Sequence, residues 1–175
     1  EVNAELAGEV SLERLTAKVT GHAMRLVRAE RGLVLLRDDS GKLSIYCAKE
    51  EGPTDHHLRF SKTVAETVLN TGEPVVSVNA RDDQRMSGWG SVHELMLQSV
   101  ACVPIRDRSR KAIGALYLET RLARGSEFAT ELPMLQAFAD QVAIAIQNAR
   151  LINENRERAV ALENANAQLV EAQSK

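Results

Sequence analysis

Cysteine is scarce in this chain: Cys47 and Cys102 are the only two among 175 residues, each inside a strand-like segment and with no C-x-x-C or other metal-ligand spacing. A disulfide scaffold and a clustered zinc site are excluded, and two buried free thiols in a reducing cytoplasm are expected. Charge of one sign is lacking too, since 22 basic and 24 acidic residues leave a formal net charge of −2. No nucleic-acid or anionic-membrane partner is implied. No apolar run approaches the roughly 18 to 20 residues of a membrane span, and no basic-then-apolar leader is present. The chain is read as a soluble, cytoplasmic piece of a longer polypeptide, because it opens on Glu1 and ends at Lys175 within a helical pattern.

Catalytic signatures are missing as well. There is no GxSxG, no Walker loop and no GxGxxG; each of these supplies a nucleophile or a phosphate cradle that an enzyme of those classes needs. His22 falls on a helix, His56 and His57 in a turn, and His93 in a long loop, none with Cys, Asp or Glu at ligand spacing on a shared element. The expectation is no metal, no cofactor and no catalytic residue.

What is present is periodicity. Leu6, Val10, Leu15, Val19, Ala23 and Leu26 recur at helical steps and predict an amphipathic opening helix over residues 1–28, expected to join the C-terminal helix in building a dimer. LVLLR (33–37) and LSIYCAK (43–49) flank the turn DDSGK and predict a hairpin. After the turn-rich EGPTDHHLRF, residues 61–71 predict a short helix that Gly72 and Pro74 stop, and PVVSV (74–78) predicts a strand. The next twenty residues, 79–98, have little periodicity beyond one possible helical turn near Val92 to Leu97; loops of that length usually bind or move. SVACVPI (99–105) and AIGALYLET (112–120) predict a second hairpin, apolar on both faces and therefore covered on both.

Thr130 fits an N-cap before Pro133, and from there one helix is predicted to run to the end, with Leu135, Phe138, Val142, Ala145, Ile146 and Ala149 facing a core. Beyond Arg150 the stripe narrows to a heptad seam of Ile152, Ala159, Leu162 and Leu169, with Asn155 and Asn166 in the same places. That pattern predicts a short two-stranded coiled coil; a solvated continuation of the helix is the alternative.

The segments TGEPVVSVNARDDQRM, SVACVPIRDRSRKAIGALYLE and FATELPMLQAFADQVAIAIQNARL resemble the GAF family in content and spacing. The resemblance implies an α+β domain over residues 29–150: a five- or six-stranded antiparallel sheet, terminal helices on one face, and loops and short helices over a pocket on the other. It also implies a non-catalytic sensory role, with residues 151–175 as a signalling helix, a homodimer, and an output domain in the same polypeptide. Histidine kinases, AAA+ sigma-factor activators and cyclases are the output types considered. A pocketless dimerisation module is the alternative. Two subclasses are disfavoured, since the chain has no Asn-Lys dipeptide and neither Cys47 nor Cys102 precedes a histidine. The loop 79–98 also lacks the cysteines of the free-methionine-sulfoxide-reductase branch. An unidentified small molecule is expected to meet Tyr46, Asp82, Asp83, Trp89, His93, Ser99, Tyr117 and Glu119, while Ile152, Leu162 and Leu169 serve the dimer.

Overall fold

The computed structural model describes residues 2–52, 59–122 and 126–174. Its strands are β1 (Arg31–Arg37), β2 (Leu43–Glu50), β3 (Val75–Ser77), β4 (Ser99–Arg106) and β5 (Ala112–Thr120). They pair antiparallel in the order β2-β1-β5-β4-β3. Alternate side chains of a strand point to opposite faces, so each central strand feeds two cores. Val34, Ala101, Val103, Ile105, Leu116 and Leu118 enter one; Leu33, Leu35, Val100, Cys102, Ala115 and Tyr117 enter the other. This is the double burial that the unbroken apolar runs of β4 and β5 predict.

The helices divide accordingly. On the first face lie α1 (Val2–Val27), α4 (Ser126–Thr130) and the opening turns of α5 (Leu132–Gln173). On the second lie α2 (Lys62–Thr71), a 3₁₀ turn at Gln84–Met86 and α3 (Gly90–Glu94). In α1 the stripe closes on Val19, Ala23 and Val27, and the buried Thr16 and Thr20 satisfy their hydroxyls on carbonyls one turn back, at 2.9 and 2.7 Å. A buried hydroxyl left without such a partner would cost stability.

Helix α2 has the predicted ends: the Ser61 Oγ accepts from the Val64 N–H, and Gly72, at φ +70°, donates to the Val68 carbonyl. The start of α5 differs from expectation. Thr130 ends α4 rather than capping α5, and Glu131 stands at the N-cap without a side-chain hydrogen bond. Pro133 explains the break, because it has no N–H to offer the Ala129 carbonyl and its ring crowds that position. The loop 79–98 is also more ordered than its sequence suggests, its two short helices tucking Met86, Val92 and Leu97 under it.

One irregularity decides which side chains share a face. In β2 the register steps from Val34↔Cys47 to Leu35↔Ile45, leaving Tyr46 as an extra residue. Tyr46 and Cys47 both pack against the helix-side core, whereas Leu43 and Ile45 pack on the loop side.

Candidate functional site

The eight residues singled out in the sequence do not converge. Tyr117 and Glu119 share the loop side of β5 with the half-buried Trp89. Tyr46 is sent to the opposite face by the bulge. Ser99, two residues before Ala101 and thus on the helix side of β4, is buried and donates to the Val78 carbonyl at 3.0 Å, tying the loop to β3. His93 is exposed on α3. His56 and His57 lie outside the described residues.

Asp82 and Asp83 do meet, in an open depression of about 380 Å³ against Val76, Val78 and Ala129 at the β3 edge. Asp83 caps the 3₁₀ turn and grips the Arg85 guanidinium at 2.7 Å, which holds its carboxyl well below the usual range; Arg85 in turn donates to the Val76 carbonyl at 2.9 Å. Asp82 accepts from the Asn79 side-chain amide at 3.0 Å, so each carboxylate holds a local turn, and Arg85 ties that turn to the edge strand β3.

The cysteines are placed apart. Cys102 is fully buried in the loop-side core, and burial pushes its thiol far up; Cys47 is half-buried on the helix side, against the expectation that both are interior, and burial raises its thiol as well. Neither is poised as a thiolate nucleophile.

A polar cluster that sequence reading reached only through Tyr117 and Glu119 occupies the end of the loop face. Arg31, 6% exposed, contacts Glu50 at 2.6 Å and Glu119 at 3.2 Å, and donates to the Arg59 carbonyl. The Tyr117 hydroxyl donates to Glu119 at 2.5 Å and accepts from the Ser61 N–H at 3.1 Å. Burial raises the Glu119 carboxyl, opposed by Tyr117 and Arg31, and burial together with the Glu119 charge raises the Tyr117 phenol. Arg31 thereby joins three strands to the segment entering α2. Nothing in the alternation of RGLVLLR marks Arg31 as interior, since it opens the strand next to a glycine.

Beside this cluster the surface opens into two further hollows. One, about 150 Å³, is rimmed by Glu30, Glu51 and Arg121 above the Arg31 ion pairs. The larger, about 440 Å³, runs between α2 and the tip of the β1–β2 hairpin, over Leu43, Phe60 and Leu69. Beneath the loop 79–98, Met86, Val92, Leu97 and Tyr117 pack together in the loop-side core, with Trp89 against them.

A model of the GAF domain family matches residues 9–147. Among solved structures, a free methionine-R-sulfoxide reductase from Thermoplasma acidophilum covers 81% of this chain and 96% of its own, with a TM-score of 0.61 at 14% identity. A GAF domain from Synechocystis in its photoproduct state covers 82% and 98%, with a TM-score of 0.64 at 14% identity. A GAF domain/HD domain protein from Geobacter sulfurreducens covers 83% and 98%, with a TM-score of 0.60 at 13% identity. The comparison with curated proteins returns no match.

Proposed function

Because the chain belongs to the GAF domain family, we propose that it is a non-catalytic sensory domain, responding to a small-molecule signal and handing its state through α5 to an output domain. The form of α5 carries this reading. Leu135, Ala139, Val142 and Ile146 lock its opening turns to the sheet. From Leu151 to Ser174 every residue but Arg156 is exposed. Within that stretch Ile152, Leu162 and Leu169 are 49%, 63% and 60% exposed at heptad spacing, and covering each would contribute about 1.5–3 kcal/mol. A second copy of the same helix supplies the matching seam, with Asn155 and Asn166 favouring two strands in one register.

Replacing Leu162 by Asp sets a carboxylate in that seam. Light scattering at micromolar concentration is expected to report a dimer for the parent chain and mostly monomer for L162D, with the circular dichroism of the sheet retained. A monomeric parent chain would remove the coiled coil from the argument. Transmission has its own test, because α5 has no Gly or Pro after Pro133 to absorb a displacement. Four residues inserted after Arg158 rotate everything downstream by roughly 40° beyond one turn. Output is then locked or scrambled while ligand affinity holds; unchanged signal-dependent output would favour a flexible tether. Of the output types, a histidine kinase best suits the charged, heptad-patterned tail.

The packing of Met86, Val92, Leu97 and Tyr117 beneath the loop 79–98 favours a second reading, a dimerisation module without a ligand. Native mass spectrometry of gently purified protein separates the two. A mass of bound small molecule supports sensing.

A further inference from the structure

The hollow between α2 and the β1–β2 hairpin holds none of the residues singled out in the sequence, and its charge is one-sided: Arg37, Lys42 and Lys62 border it against the single carboxylate Glu66. We propose that this cleft is a binding site for a small organic anion, a carboxylate or phosphate carried on a flat apolar body. At about 440 Å³ it lies within the range of roughly 300–1,000 Å³ typical of small-molecule sites. Its floor is apolar, since Leu43 and Phe60 pack against the loop-side core and Leu69 is buried beside them on α2.

The polar end is built around Arg37. Its Nε is shielded from solvent with no hydrogen-bond partner among the described residues, and its Nη2 donates to the Asn70 Oδ1 at 3.3 Å. A guanidinium N–H withdrawn from water without an acceptor is costly, and its planar fork matches the paired oxygens of a carboxylate or phosphate. Asp38, adjacent in sequence, is otherwise engaged: its Oδ1 accepts from the Ser40 hydroxyl at 2.6 Å and the Lys42 N–H at 2.9 Å. That turn, with Gly41 at φ +84°, fixes the backbone that carries Lys42. Lys62 begins α2, where the helix dipole adds to its charge. The Phe60 ring meets Tyr117 edge-on at 5.9 Å between centroids, so an occupant stacked on Phe60 is one contact from the Tyr117–Glu119–Arg31 cluster. A bound anion therefore has a short route to the central strand β5.

The proposal supplies a ligand class for the sensory reading and rests on that reading only for its consequence, because the test measures binding alone. Phenyl phosphate, benzoate and phenol are titrated into the intact chain while backbone amide resonances are followed. Phenyl phosphate, benzoate or both should shift Arg37, Gly41, Lys42, Lys62 and Asn70 saturably, the stronger of the two identifying the anion; phenol should not. R37Q and, separately, the K42Q/K62Q pair should each weaken that binding at least tenfold with the thermal midpoint of the pair unchanged. Two results overturn the proposal: no saturable shift with either anion at millimolar concentration, or saturable shifts that K42Q/K62Q leaves intact. Either result leaves the role of α5 standing.

Discussion

Gly114→Ala is expected to lower the thermal midpoint by at least about 6–12 °C, and larger residues at this position should prevent folding. A Cβ on Gly114 would stand 2.3 Å from the Leu35 carbonyl oxygen and 2.9 Å from the Leu36 side chain. The first contact is with backbone in the paired strand β1, held by the register Leu36↔Gly114, so relief requires the two central strands to separate. Forced overpacking costs about 1–3 kcal/mol and more where nothing can yield, and for a domain of this size each kcal/mol moves the midpoint by about 2–4 °C. Gly72→Ala is the control. Its φ of +70° carries a conformational penalty, but among the described residues nothing beyond its chain neighbours lies within 4 Å of the added carbon, so the cost stays near the roughly 1–2 kcal/mol of a left-handed residue. G114A melting within a degree or two of the parent chain would show that the β1–β5 approach is looser than its register implies.

The contrast between these glycines shows what the sequence discloses and what it withholds. Gly72 is legible because it sits between a helical stripe and Pro74, a local signal that needs no knowledge of the fold. Gly114 is not, since AIGALYLET reads as a strand with or without it, and only the pairing with β1 reveals the carbonyl it must admit. The candidate site divides in the same way. The helices α1, α2 and α5, the strands and both hairpins follow from periodicity within single segments, with ends displaced by a residue or two, whereas α4 and the 3₁₀ turn carry no such signal. Faces follow from register, and the extra residue at Tyr46 reverses a side chain that simple placement assigned to the pocket. Arg31, Phe60 and Arg37 carry no signal along the chain for a third reason. Each matters through partners on other elements, 19 or more residues away, and no spacing rule along one element reports such partners. The cationic border of the cleft gives a weak sequence signal at best, because Lys42 and Lys62 belong to an ordinary turn and an ordinary helix start.

Arg31→Met is expected to be the most damaging change outside the glycines, and the damage should grow with pH. Arg31 holds two buried carboxylates, Glu50 and Glu119, whose side chains are 10% and 3% exposed. Removing one partner from such a cluster costs roughly 3–5 kcal/mol, because the charges left behind stay buried without compensation. Glu119 has an escape by taking up a proton. Burial already raises its carboxyl with Arg31 in place, and losing the cation raises it further. Between the unfolded carboxyl value and this higher folded value, the folded chain binds a proton that the unfolded chain does not. Stability contributed in this way is fully present below the unfolded value and is lost as pH rises through the folded one. The urea midpoint of R31M should therefore lie closer to that of the parent chain at pH 5 than at pH 8, and adding Glu119→Gln should flatten the difference. An equal deficit at both pH values would locate the loss in the Arg59 carbonyl contact and the packing of the arginine stem. The same variant bears on signalling. With Arg31 gone, the segment carrying Phe60 into α2 keeps, among the described residues, the Ser61–Tyr117 hydrogen bond and the Phe60–Tyr117 edge contact to β5, so protection of the Val64 and Val68 amides from hydrogen exchange should fall before that of β4 and β5.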